Sequence, residues 1–390
     1  MHMPAQERLL PQDQDPFAPE SVRLLVRRLG SPLFIIDLDR VRRQYQALAA
    51  ALPGVDLHYA VKPLPHPAVV RTLEQIGSSF DLASTGETQL VRDLGVPAGR
   101  CIHTHPVKRD IDIRNALHQG VDRFVVDNAD ELGKFERYAQ QARVLLRISF
   151  RNPDARCDLS RKFGCEPDAV EELLRLAAQK GLRVEGISFH VGSQTGRADM
   201  FAHAVEVCAG LLARTAHYGE PARILDIGGG FPVDYGGSPV DIDAFCAPIR
   251  AALGRLPPDL RIIAEPGRFI VAPAAITAVS VMGRARRDGR WWYYLDDGLY
   301  GCFNGQLFDH VKYPITALDG RGPPMPAVLT GPTCDNIDII DDQLELPQLE
   351  TGDLLVGSMM GAYTWCSATE FNLFQRPHAL ALDRGRWIRE

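Results

Sequence analysis

Lys62 closes the apolar run "VDLHYAVK", and Pro63, Pro65 and Pro67 follow it. An isolated lysine at such a place is a solvated strand end. Seven further apolar runs, however, also finish on polar or ionisable residues or on glycines. Their ends are Asp81 with Ser84, His103 with His105, Asn128, Arg147, His190 with Ser193, Gly228-Gly229-Gly230, and Glu265 with Arg268. The glycine run "LDIGGGFP" is neither G-x-G-x-x-G nor G-x-x-x-x-G-K-[ST], so it signals no dinucleotide and no P-loop. Three glycines after a strand do let backbone N–H groups approach an anion closely, and Arg268 ends the next run.

An amine, a phosphate cradle, a carboxylate and a flat imidazole are what pyridoxal phosphate requires. The lysine engages the aldehyde, and the carboxylate keeps the ring nitrogen protonated. Lys62 and Glu265 are the candidates for those two tasks. The plain structural alternatives are a surface ion pair of Glu265 with Arg268 and a hydrogen-bonded core histidine at 190. His103 and His105 lack a third ligand of matching placement, so they read as structural or peripheral, and no metal is expected.

The elements that must position these residues follow from the pattern. The runs at 55–62, 78–84, 100–105, 123–128, 143–150, 184–193, 223–230 and 260–268 alternate with amphipathic stretches. In "PDAVEELLRLAAQKG" (167–181), Val170, Leu173, Leu174 and Ala177 fall at helical spacing, and Gly181 is a stop. Eight strand–helix units predict an α/β fold, a closed (β/α)₈ barrel with its chemistry at the C-terminal strand ends. After Arg268 come short β-branched or aromatic segments separated by Gly, Pro and Asp, which predict antiparallel strands. The early segment "PLFIIDLD" (32–39) is expected to pair with them. The expected domains are a barrel over 40–267 and a β-sandwich or β-barrel domain made of 1–39 with 268–390.

Composition excludes other classes. The net charge is −6 with both signs interspersed, so no basic surface points to nucleic acid. No apolar run approaches the roughly 18 residues of a membrane span. "MHMPAQERLL" lacks the apolar core of a signal peptide. The eight cysteines, at 101, 157, 165, 208, 246, 302, 334 and 366, form no C-x-x-C pair. Free thiols and a cytoplasmic location are expected.

Nine motifs then follow in order: "YAVK", "FDLASTGE", "HVGSQ", "DIGGGFP", "AEPGR", "DDGLYGCFNG", "FDH", "GPTCDNID" and "GAYT". With them the chain resembles the fold-type III pyridoxal-phosphate decarboxylases, the alanine-racemase-like group, and most of all the ornithine decarboxylases. The resemblance runs from "PLFIIDLD" to "TEFNLF". It implies a head-to-tail homodimer with shared active sites. It implies that Lys62 holds the cofactor, Glu265 pairs with the pyridine nitrogen and His190 stacks on the ring. Ser193, Gly228, Gly229, Gly230, Arg268 and Tyr363 would bind the phosphate, with Asp81 and Arg147 as supporting charges. Cys334, from the second subunit, would protonate Cα. Asp309 and Asp335 would receive a distal ammonium, and Phe371 would line that pocket. Three stretches depart from the family pattern: Asn336 after Cys-Asp, "FNLF" for "FNGF", and the histidines of "IHTHPVK".

The resemblance implies decarboxylation of a basic amino acid, L-ornithine to putrescine and CO₂. The alternatives are lysine or dual lysine/ornithine decarboxylation, or action on a D-amino acid, carboxynorspermidine or diaminopimelate. "TCDN" matches poorly the Glu-Ser that usually follows the cysteine in diaminopimelate decarboxylases. The non-enzyme alternative is an inactive regulatory homologue, a group that usually loses the lysine or the phosphate contacts. Here Lys62, Cys334, Glu265 and Arg268 are all present.

Overall fold

The computed structural model describes residues 7–152, 159–236 and 240–389. Cys157 lies outside the described residues. The chain divides into two compact units. One comprises Gln44–Pro232 and Val240–Phe269, and the other comprises Met1–Arg43, Val233–Pro239 and Ile270–Glu390.

Strand β1 (Leu33–Asp37) belongs to the second unit. The first holds β2 (Val55–Ala60), β3 (Ser79–Leu82), β4 (Cys101–His103), β5 (Arg123–Val126), β6 (Arg143–Ser149), β7 (Arg183–His190), β8 (Ile224–Asp226) and β9 (Arg261–Ala264). These eight pair in chain order, all parallel, and β9 pairs with β2 to close a barrel. This is the expected (β/α)₈ architecture, with helices between the strands. The predicted helix of 167–181 appears as Val170–Gln179, with Val170, Leu173, Leu174 and Ala177 buried.

Helix starts are set by short polar side chains. Ser84 accepts from Glu87 N at 3.2 Å, Asn128 from Glu131 N at 2.9 Å and Asp241 from Ala244 N at 3.0 Å. Each satisfies a backbone donor that the helix leaves unpaired, worth about 1 kcal/mol. Ser84 and Asn128 therefore serve as caps at their strand ends.

Inside the barrel, Ile102, Val125, Leu145, Ile224 and Ile263 form one buried apolar cluster. Successive strand residues alternate faces, so two positions onward each strand presents the same face again. Those positions hold Thr104, Asp127, Arg147, Asp226 and Glu265. An apolar layer thus underlies a polar one at the C-terminal end of the barrel.

The second unit is a nine-stranded, mainly antiparallel sheet. Its strands after the barrel are β10 (Ala275–Arg287), β11 (Arg290–Leu295), β12 (Ile315–Ala317), β13 (Arg321–Thr330), β14 (Ile339–Gln348), β15 (Leu354–Gly357), β16 (His378–Asp383) and β17 (Arg386–Trp387). The order is β14-β13-β11-β10-β1-β16-β17, with β15 pairing β10 and β12. β1 pairs with β10 antiparallel and with β16 in parallel, so the early strand joins the late ones as expected. Val22 and Leu25 of helix Pro19–Leu29 pack with Leu33, Ile35, Ile276, Leu380 and Leu382 in this unit's core. Each such side chain contributes about 1.5–3 kcal/mol by burial.

Candidate active site

The barrel unit gathers its predicted residues on the polar layer and the loops above it. The Nζ of Lys62 stands 3.3 Å from Oδ2 of Asp81, a carboxylate that is almost fully buried. The other oxygen of Asp81 accepts from the Thr104 hydroxyl. The loop after β9 abuts the lysine loop: Ala60 N donates to Pro266 O at 3.0 Å. A Cβ on Gly267 would lie 2.7 Å from Pro63. Arg268 is buried at the start of the short helix Arg268–Val271.

The glycine turn is built around close approaches. Gly228 N donates to Asp226 Oδ1 at 2.9 Å, and Glu265 N donates to Gly228 O at 2.8 Å. A Cβ at 228 would strike the carbonyl of Phe189, and one at 230 that of Gly192. Both residues have positive φ, +65° and +102°, where side chains are disfavoured. A Cβ at 229 would lie 2.6 Å from Glu265 O and 3.4 Å from His190 Nε2. Gly192 N donates to His190 Nδ1 at 3.0 Å. That bond makes Nδ1 the acceptor, so the single proton of the neutral ring sits on Nε2. Ser193 is half-buried just beyond.

Charge in this layer is unbalanced. Asp81, Asp127, Asp226 and Glu265 all act on Arg147. Desolvation nevertheless lowers Arg147. Burial, then the charges of Asp226 and Asp81, push Glu265 well above the usual carboxylate range. Its Oε1 has no hydrogen-bond partner among the described residues. Desolvation, Arg147 and Lys62 hold His190 well below its ordinary range, so the ring stays uncharged at neutral pH. Glu87, beside Asp81 and Lys62, is raised by burial to about 7.

The histidines of "IHTHPVK" do other work. His103 packs on Phe124, ring centroids 5.8 Å apart, and burial lowers it to about 4. His105 meets the edge of Phe163, whose ring lies under Arg147. Among the described residues no group of three or more His, Cys, Asp or Glu is placed to hold a metal.

The β unit assembles a second cluster. Tyr300 stacks on Phe371, centroids 4.4 Å apart, and its hydroxyl donates to Asp335 Oδ2. That bond comes first among the causes that lower Asp335 below its ordinary range. Cys334 is exposed, and both its N and Sγ lie 3.2 Å from Asn372 Oδ1. The buried Asp338 ties down the same loop, accepting from Leu299 N at 2.8 Å, Thr333 N at 3.0 Å and Thr333 Oγ1 at 2.6 Å. Asp309 is half-buried at the C-terminal cap of helix Gly305–Phe308. Tyr363 adopts φ 57°.

So Lys62, Asp81, Arg147, His190, Gly228–Gly230 and Glu265 come together in the barrel, and Cys334, Asp335 and Phe371 in the β unit. Sequence reasoning passed over Thr104, Asp127, Asp226, Tyr300, Asp338 and Asn372. The first three carried a usable signal, since each stands two places after an inward-facing apolar residue.

Residues 38–272 match the family described as pyridoxal-dependent decarboxylase, pyridoxal binding domain. A lysine/ornithine decarboxylase of Selenomonas ruminantium is 38% identical over 356 residues, 91% of this chain and 90% of that protein. Two structures of a Vibrio vulnificus lysine/ornithine decarboxylase each give a TM-score of 0.89. The putrescine complex is 48% identical, covering 94% of this chain and 98% of that one. The cadaverine complex is 49% identical, covering 93% and 99%. With the barrel, the separate mainly antiparallel sheet and the lysine–carboxylate–glycine site in place, the chain belongs to the fold-type III pyridoxal-phosphate-dependent decarboxylases.

Proposed function

We propose that this protein decarboxylates L-ornithine, L-lysine or both to the corresponding diamine, as a homodimer whose two chains complete each active site. The observation that carries the reading is the buried acid Glu265, raised well above the usual carboxylate range beside Asp226, in the same end of the barrel as Lys62 and the glycine turn. These residues fit pyridoxal phosphate. The buried acid suits a basic ring nitrogen, and the glycine turn, packed closely on the carbonyls of Phe189, Gly192 and Glu265, carries no side chain to screen its backbone from a phosphate.

In this reading Lys62 would hold the aldehyde and Glu265 would pair with the ring nitrogen. Gly228–Gly230, Ser193 and Arg268 take the phosphate, and the resemblance adds Tyr363. Bound pyridoxal phosphate supplies an electron sink for the pair left when CO₂ departs. The chain does the rest. Asp81 fixes the position of the Lys62 amine that would hold the cofactor. Glu265 is kept protonated by burial and Asp226, so it has a proton to share with a basic nitrogen; the ion pair so formed offsets its buried charge. His190 presents a neutral face, because a charged imidazolium there would oppose a cationic ring. Cys334 of the second chain gives its proton to Cα as general acid.

The substrate class rests on electrostatics. Asp335 and Asp309 offer acceptors to a distal ammonium and repel a distal carboxylate. Ornithine and lysine differ by one methylene, worth about 1–3 kcal/mol, and the relatives bound to putrescine and cadaverine favour acceptance of both. A purely regulatory role is disfavoured by the intact Lys62, Glu265, Cys334 and Arg268. The test is a panel of L- and D-ornithine, lysine, arginine and diaminopimelate scored by CO₂ release. We expect turnover of L-ornithine and L-lysine; turnover confined to diaminopimelate, or none at all, overturns the reading.

A further inference from the structure

Asn372 and Leu373 both occupy the left-handed region, at φ 56° and 61°. Asparagine tolerates that conformation, whereas leucine rarely adopts it. Leu373 is 88% exposed, so its side chain contributes no packing that would explain the turn. What the turn does is aim a side chain. The single oxygen Asn372 Oδ1 lies 3.2 Å from both Cys334 N and Cys334 Sγ, across 38 residues of chain. A carbonyl oxygen has two lone pairs and no proton, so it accepts from both donors. It fixes the loop through the N–H and the thiol through the S–H. Strain held in place at such a position is a mark of functional geometry.

We propose that Asn372 is a positioning residue for the Cys334 thiol, holding its S–H in one orientation for delivery to Cα. This rests on the reading of Cys334 as the general acid. In the step, the S–H bond breaks and a C–H bond forms at the carbon that lost CO₂. The sulfur is left as thiolate and recovers a proton from water. A thiol free to rotate would protonate from more than one direction. The neighbouring residue benefits from the same segment: Phe371 stacks on Tyr300, which holds Asp335. The 371–373 turn therefore organises both adjacent residues of the Cys-Asp pair.

Two measurements test the proposal. The first is the rate of Cys334 alkylation by iodoacetamide in the cofactor-free protein at fixed pH, followed by peptide mass spectrometry. Asn372→Ala removes the acceptor that ties the thiol down and should speed alkylation about three- to tenfold, the span of one neutral hydrogen bond. Asn372→Asp places a negative charge beside the thiolate and should slow it. A merely structural role would move both variants the same way, and that result overturns the proposal. Leu373→Gly keeps the left-handed turn and should match wild type.

The second measurement is decarboxylation of ornithine in D₂O, with the configuration of deuterium at the product carbon read by NMR. Wild type should give one configuration, and Cys334→Ala and Asn372→Ala should give mixtures. If Cys334→Ala scrambles but Asn372→Ala does not, the positioning role fails while the acid survives. If Cys334→Ala also keeps one configuration, the general-acid reading falls and takes this proposal with it.

Discussion

The carboxyl groups of Glu265 and Asp226 are buried together in the barrel, each two residues beyond an isoleucine of the apolar layer below. Two such groups cannot both ionise cheaply without a nearby cation, and burial with the Asp226 charge raises Glu265. The folded, cofactor-free protein therefore keeps a proton that the unfolded chain has already released. Its stability is full below the ordinary carboxylate range and falls as pH rises toward the raised value of Glu265. Glu265→Gln removes that titration. The cofactor-free variant should show a flatter dependence of Tm on pH, read by thermal melts across a pH series. Activity should drop by about 100-fold or more, the scale of losing one positioned acid–base group. A pH profile identical to wild type would show that the pair does not share a proton.

Lys62 carries the next prediction, because its amine is already held by Asp81. Borohydride reduction of the cofactor-loaded protein should fix the cofactor mass on the peptide containing Lys62. Lys62→Ala should abolish both that adduct and the visible absorption band, and because it leaves the buried Asp81 without its cation it should also lower Tm. An adduct on any other lysine would remove position 62 from the chemistry.

Much of this was legible in the sequence for a physical reason. A parallel barrel strand is buried on both faces, so it reads as a continuous apolar run, and its C-terminal end is where polar residues become affordable. Eight runs ending this way located Lys62, Asp81, Arg147, His190 and Glu265. Two classes of residue escaped. Ser84 and Asn128 have side chains suited to a site or to a helix cap, and only coordinates show that they cap. Tyr300 and Asn372 reach Asp335 and Cys334 across 35 and 38 residues. Contacts at such separations follow from the folded path of the chain, and no local spacing encodes them.

Gly229 offers a clean test of the cradle. Unlike its two neighbours it does not need the left-handed region, so alanine there adds bulk without forcing the backbone into a disfavoured φ. Its Cβ would stand 2.6 Å from Glu265 O and 3.4 Å from His190 Nε2. Relieving that overlap must displace the turn, the glutamate or the imidazole. Gly229→Ala should weaken cofactor binding about tenfold or more, consistent with strain of about 1–3 kcal/mol. Fluorescence titration of the cofactor-free protein measures this directly. Unaltered affinity would place the phosphate elsewhere.

Asp335 and Tyr300 give a paired prediction about the substrate. The Tyr300 hydroxyl donates to Asp335 Oδ2, which lowers the acid further and fixes the orientation of its carboxylate, while the stack on Phe371 holds the tyrosine ring. Asp335→Ala removes an acceptor for the distal ammonium and should raise KM for ornithine about 10- to 150-fold, the worth of one charge-assisted hydrogen bond. Cofactor affinity should be unchanged. Tyr300→Phe keeps the ring stack but loses the hydroxyl, so Asp335 stays charged and becomes free to rotate. Its effect on KM should be smaller and in the same direction. The double variant should add little to Asp335→Ala alone, because the hydroxyl acts through a carboxylate that is no longer there. Strictly additive effects on KM would mean that Tyr300 contacts the substrate itself, and the tyrosine would then have to be reassigned from support to binding.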